Sequence, residues 1–211
     1  MTRNEIDGVQ KLNRRGPQRL AFPAPVFLAV FSGVLLAVLS VGLGGAPSAQ
    51  AHDASFPIKG DSIAIETQGD PSTWTFNFST TGESAFDLLH NPSLEGSSLL
   101  VRGLGANAGR TSLIRLDALN WAADPGTSGY QYTDLNGTQG GVRSIALAPG
   151  TLTIFASGPN WPWDVTGTQD QVWVDFELGE ELYCAEFDTS VASANAPGQF
   201  VAGPALAPGA C

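Results

Sequence analysis

The stretch QVWVDFELGEELYCAEF, residues 171–187, decides the fold class. Val172, Val174, Phe176 and Leu178 fall at alternate positions, with Gln171, Trp173, Asp175 and Glu177 between them. Successive side chains of a strand point to opposite faces, so this period of two describes a strand with one buried and one wetted face. Residues 182–187 repeat the pattern, with Tyr183, Ala185 and Phe187 alternating with Leu182, Cys184 and Glu186, and Gly179 supplies a short turn between the two runs. The stretch therefore predicts a β-hairpin.

The same signal recurs on either side. In GVRSIALAPGTLTIFASG (141–158), Val142, Ile145 and Leu147 lead into Ala148-Pro149-Gly150, and Leu152, Ile154 and Ala156 lead out. Proline presets φ there and glycine tolerates positive φ, which is turn chemistry. Residues 62–66, 73–79, 98–104, 111–119 and 129–134 are strands by the same criteria. About eight to ten short strands separated by Gly, Pro, Asn and Asp predict an all-β fold, an antiparallel β-sandwich or flattened barrel. Residues 84–93 fit either a strand or one helical turn ended by Asn91-Pro92. From Ser190 onward the chain is rich in Ala, Pro and Gly, and its last residue is a cysteine. The expected organisation is thus a leader over 1–51, a sandwich domain over 52–189 and a tail over 190–211 strapped back onto the sheet.

Arg3, Lys11, Arg14, Arg15 and Arg19 precede an uncharged stretch from Leu20 to Ala51. A basic region followed by an apolar one is the pattern of an export signal helix. The apolar run Val26 to Leu43 approaches the ~20 residues that cross a bilayer, so an uncleaved anchor is the competing reading. Gly42, Gly44, Gly45 and Pro47 break that run, and Ala49-Gln50-Ala51 is a small-x-small cleavage pattern, which favours cutting after Ala51. Arg14-Arg15 invites a twin-arginine reading, but Gly16-Pro17 follows it, so general secretion fits better. The expected location is outside the cytoplasm, secreted or in the periplasm or envelope, with membrane contact only through this N-terminal segment.

The full chain carries 10 basic and 20 acidic side chains, a net charge of −10. Beyond Ala51 there are 5 basic and 18 acidic ones, a net charge of −13. That field repels phosphate backbones, which argues against nucleic acid as a partner. The only two cysteines, Cys184 and Cys211, both follow the export signal, and an even pair in an exported chain predicts a disulfide.

The C-terminal half resembles a group of uncharacterised exported bacterial β-domains. The likeness rests on YQYTD (130–134), GGVRSIALAPGTLTIFASG (140–158), the YCAEF strand (183–187) and the ending PGQFVAGPALAPGAC (197–211). It implies an all-β domain and supports the Cys184–Cys211 bridge. That group carries no established activity, so the resemblance assigns no functional residue. PNWPWDVTGTQ (159–169) departs from its pattern.

Four constellations could carry chemistry. Cleavage after Ala51 would leave His52 with a free amine and an imidazole, a chelate suited to Cu(II), and His90 is the only second imidazole for a copper-dependent enzyme. His90 with Asp87 could serve a serine nucleophile, but no Gly-x-Ser-x-Gly elbow surrounds any serine. Asp134, Asn136 and Thr138 alternate in a glycine-rich loop that could offer oxygens to Ca²⁺; the expectation is no cofactor, with Ca²⁺ here as the possible exception. The competing reading is an Asn136-Gly137 hairpin turn. Trp161 and Trp163 flank Pro162 in a loop, where exposed rings would stack on a sugar or fill a partner's pocket and buried ones would cap the core. The reading that fits best is an exported non-catalytic binding or structural module whose partner is a protein or a glycan, with the copper enzyme as the alternative.

Overall fold

The computed structural model describes residues 54–80, 86 and 88–211. The expected signal helix over 1–51, His52 and Asp87 lie outside the described residues. In chain order the strands are β1 (Ala54–Pro57), β2 (Gly60–Glu66), β3 (Thr75–Thr80), β4 (Ser97–Leu104), β5 (Gly109–Arg110), β6 (Ile114–Leu116) and β7 (Trp121–Asp124). They continue with β8 (Gly129–Thr133), β9 (Val142–Ala148), β10 (Thr151–Ser157), β11 (Gln171–Leu178), β12 (Glu181–Asp188), β13 (Ala192–Ala196) and β14 (Gln199–Ala202). One short helix, α1, spans Pro92–Glu95.

Two sheets pack together as a β-sandwich. The six-stranded sheet runs β1-β12-β11-β4-β5, with β6 also on β4, and the eight-stranded sheet runs β13-β14-β2-β3-β10-β9-β8-β7. The strand pairs are antiparallel except β1 with β12. The hairpin read from residues 171–187 forms as expected, with Val174 opposite Ala185 and Asp175 opposite Cys184. Gly179 turns it at φ +60°, a conformation that a side chain would strain. Val172, Val174, Phe176 and Leu178 are all buried and belong to the same core cluster as Ile63, Ile65, Phe76, Phe78 and Ile154 of the other sheet. The layers touch directly where Phe78 meets Phe187 edge to face, their ring centres 6.2 Å apart.

Several boundaries differ from the sequence reading, each for a local reason. Asp70 accepts from Ser72 N at 2.8 Å and caps a 3-10 turn over Pro71–Thr73, so β3 begins only at Thr75. In residues 111–119 only Ile114–Leu116 is strand, because Asp117 accepts from Leu119 N and starts another 3-10 turn. Asn91-Pro92 begins a helical turn rather than ending one. Asn91 Oδ1 caps Ser93 N, and proline takes the first helical position, where its missing N–H costs nothing. Among the described residues fourteen strands appear instead of eight to ten, since β5, β7 and β13 are short and rich in Gly or Ala, without alternating large apolar residues.

The tail over 190–211 is not a separate strap. Its β13 and β14 form a hairpin that continues the eight-stranded sheet through β14 against β2, and Phe200 is fully buried. Only the last residues run as a strap, from the Gly60–Ala205 bridge to the Cys184–Cys211 disulfide. The disulfide joins residues 27 apart in sequence. Closing a loop of that length removes unfolded-chain entropy worth about 3 kcal/mol. Cys211→Ser is therefore expected to lower unfolding stability by about 3 kcal/mol in a urea titration, and reduced wild-type protein should match it. An unchanged midpoint would show that the strap contributes nothing.

Candidate functional site

Trp161 and Trp163 do not present a binding surface: they are only 1% and 4% exposed. Trp161 stacks on Phe76 at 4.7 Å with the rings 10° from parallel. Trp163 lies over a glycine slot. Gly103 on β4 and Gly109 on β5 face each other in register. A Cβ on Gly109 would come within 2.4 Å of Trp163 Nε1, and one on Gly103 within 2.9 Å of Trp163 Cζ2. Two missing side chains thus make room for one indole, and the loop folds under to fill it. Gln169 fixes the loop's far end, its Nε2 donating to Asn107 O at 3.0 Å and Gly167 O at 2.8 Å. The exposed-tryptophan reading is corrected on this ground, because both rings are core. Trp163→Ala is expected to cost about 3–5 kcal/mol of stability. Gly109→Ala, which drives a methyl into a rigid indole, should destabilise too, while a surface loop would tolerate both changes in thermal unfolding.

At Asp134, Asn136 and Thr138 the structure forms a turn gathered around the Asp134 carboxylate. Asp134 Oδ1 accepts from Asn136 N at 3.1 Å, and Oδ2 accepts from Thr138 N, Thr138 Oγ1 and Gln139 N at 2.6, 2.7 and 3.2 Å. Thr138 serves the carboxylate as a donor twice, through its N–H and its hydroxyl. Burial works against the charge, but the Thr138 hydroxyl and the N–H groups of Gln139, Thr138 and Asn136 outweigh it and hold the carboxyl below its ordinary pKa. The folded pKa lies below the unfolded one, so this contribution is complete above the ordinary carboxylate pKa of ~4 and is lost as pH falls through the folded value. Asp134→Asn should cost about 1–3 kcal/mol at pH 7. In urea unfolding the gap to wild type should narrow as the pH is lowered through that range.

His90 is paired with Glu95, Nδ1 to Oε2 at 3.0 Å, and its ring lies against Gly179. Its proposed copper partner, His52, lies outside the described residues. Asp175 and Glu177 share the outer face of β11, where Asp175 accepts from Arg102 Nε at 3.0 Å and Glu177 accepts from Ser98 Oγ. Cys184 and Cys211 are joined, as expected. Among the described residues no three His, Cys, Asp or Glu side chains gather as a metal site, and no helix is long and apolar enough to cross a membrane.

What the sequence missed is an open groove of about 400 Å³ at one end of the eight-stranded sheet, lined by Glu66, Gln68, Thr73, Gly198 and Gln199. Glu66 ends β2, Thr73 sits in the 3-10 turn capped by Asp70, and Gly198 and Gln199 belong to the β13–β14 hairpin, where Gly198 has φ +80°. The tryptophan loop supports this wall. Thr67 Oγ1 donates to Asp164 Oδ1 at 3.0 Å and accepts from Val165 N at 3.1 Å, while Thr67 N donates to Gly198 O at 2.7 Å and Gly198 N to Val165 O. Gln68 Nε2 donates to Pro197 O at 3.3 Å. The lining offers one carboxylate, two primary amides and a hydroxyl, with no imidazole, thiol or cation. Polar residues at strand ends carry no sequence signal that separates them from ordinary solvated positions.

No protein-family model, curated protein or solved structure matches the chain.

Proposed function

We propose that the chain is an exported, non-catalytic binding module and that the Glu66–Gln68–Thr73–Gln199 groove takes a neutral, polyhydroxylated ligand, a saccharide. The observation that carries this reading is the groove's set of amide, hydroxyl and carboxylate groups at the ends of β2 and β14 and on the Asp70-capped turn. Its volume, about 400 Å³, falls within the range of small-ligand sites. Primary amides and hydroxyls both donate and accept, which suits the paired donor and acceptor character of sugar hydroxyls. Glu66 and the −13 charge beyond Ala51 disfavour anions, and a lone carboxylate offers little to a cation. Glycoside hydrolysis needs two carboxyl groups across the scissile bond, and this lining has one. The N-terminal signal pattern and the disulfide support placement in the secreted or envelope space.

A glycan array with the purified protein, followed by calorimetry on the best ligand, tests the reading. Gln68→Ala combined with Gln199→Ala is expected to weaken binding at least tenfold while leaving the melting temperature within a few degrees. Retention of no saccharide, or equal binding by the double variant, would remove the groove from consideration.

A further inference from the structure

The two outward faces of the sandwich differ in charge. That of the six-stranded sheet carries Arg102, Arg115, Asp175 and Glu177 among others. On the eight-stranded sheet, side chains that alternate with the buried core point outward, and the strand registers set them in rows. One row reads Val201, Ala64, Asn77, Phe155, Ser144 and Thr133, across six adjacent strands from β14 to β8. The next reads Ser62, Ser79, Thr153, Ala146 and Gln131. Neither row holds a charge, although 18 acidic residues follow Ala51. The charged residues of these strands stand at the margins: Glu66 at the last position of β2, Asp61 in the β2 bulge and Arg143 in the β9 bulge.

This uncharged face is continuous with the groove. Gln199 and Glu66, which line the groove, pair with each other, and Glu66 pairs with Thr75, in the row next to Asn77 and Phe155. Three strand spacings across and one residue pair along separate Gln199 from Phe155, roughly 16 Å. Phe155 alternates with buried Ile154 and Ala156, and its half-buried ring stands between Asn77 and Ser144. The side chains around it are short, and Ser62 and Ser79 hold each other through their hydroxyls at 2.8 Å. Contacts between protein chains are centred on large apolar side chains, and these two rows offer only Phe155 and Val201. Short side chains on strands lose little freedom when a ligand lies on them. Their hydroxyls and amides both donate and accept, and the ring offers an apolar surface to the C–H face of a sugar.

We propose that the outward face of the eight-stranded sheet carries a neutral, unbranched polysaccharide, which runs from the groove over Asn77 to Phe155, where the ring stacks on a sugar. The inference rests on the saccharide reading of the groove and adds that the ligand is a polymer. An anionic polymer would need cations on the face, and the one at its margin is committed: Arg143 Nε donates to Ser157 Oγ at 2.6 Å and Nη1 donates to Leu135 O. A branched chain would be lifted off so flat a surface by its side groups. A short sugar fills the groove alone, whereas a longer one also reaches Phe155, so affinity rises with chain length until the ring is covered.

Affinity electrophoresis tests it, in gels containing glucomannan, mixed-linkage β-glucan, arabinoxylan or dextran, with polygalacturonate as the anionic control. Wild type is compared with Phe155→Ala, Asn77→Arg and the Gln68→Ala, Gln199→Ala double variant, near-UV circular dichroism confirming that each is folded. Wild type is expected to be retarded by at least one neutral polymer and not by polygalacturonate. Oligosaccharides from a partial hydrolysate of that polymer are then titrated by calorimetry. The hexasaccharide should bind wild type at least tenfold more tightly than the disaccharide, and Phe155→Ala and Asn77→Arg should lose that gain while keeping the disaccharide affinity. Equal affinity for the two lengths would overturn the extended face and leave the groove reading standing. A gain that depends on Phe155 but not on the two glutamines would uphold the face and remove the groove. Retardation by no polymer, or by polygalacturonate alone, would overturn both. A wild-type dimer in ultracentrifugation that Asn77→Arg dissociates would overturn the proposal and assign the face to a second copy of the chain.

Discussion

The alternation of β11 is the constraint on which the rest of the structure depends. This strand pairs along its whole length with β12 on one side and β4 on the other. A slip of one residue would exchange Val172, Val174, Phe176 and Leu178 for Gln171, Trp173, Asp175 and Glu177 at the interface between the sheets. Burying four such apolar side chains is worth about 6–12 kcal/mol, several times the entropic contribution of the disulfide. The register is therefore set by burial, and the covalent bond fastens an arrangement already chosen. Fixing β11 also fixes its neighbours: Cys184 is directed outward to meet Cys211, and Gly103 is directed inward, where it joins Gly109 in the slot that Trp163 fills.

How much was legible in the sequence follows from the range of the interactions involved. Strands built on alternating large residues, such as β9, β10, β11 and β12, announce themselves because the pattern is local. The β13–β14 hairpin does not, since ASANA is composed of small residues that take strand conformation only because β14 finds β2. The turn around Asp134 was half legible: Asp, Asn, Gly and Thr announce a turn, and only the structure shows how many donors gather on the Asp134 carboxylate. The tryptophan loop misleads for the opposite reason. Pro162 and its polar neighbours look like surface, and what buries the rings lies far away in the chain: a pair of glycines for Trp163 and Phe76 for Trp161.

The same loop links packing to the binding proposal. By folding under the sheets it carries Asp164 and Val165 to Thr67 and Gly198, and these hold the rim from which Gln68 and Gln199 project. The loop that the sequence offered as a recognition surface thus braces the wall of the proposed groove instead. The groove drew no sequence signal because its lining comes from three separate segments that meet only through β2, the Asp70-capped turn and the β13–β14 hairpin.

Native-state hydrogen exchange, followed residue by residue, tests the central claim that the doubly paired β11 governs the fold. The account predicts that the amides of Val172–Leu178, with those of β4 and β12 facing them, are the slowest in the protein and open only with global unfolding, while the short edge strands β5, β7 and β13 exchange by local opening. If the β11 amides exchange as fast as those of β5 or β7, the register of that strand is not what holds the sheets together.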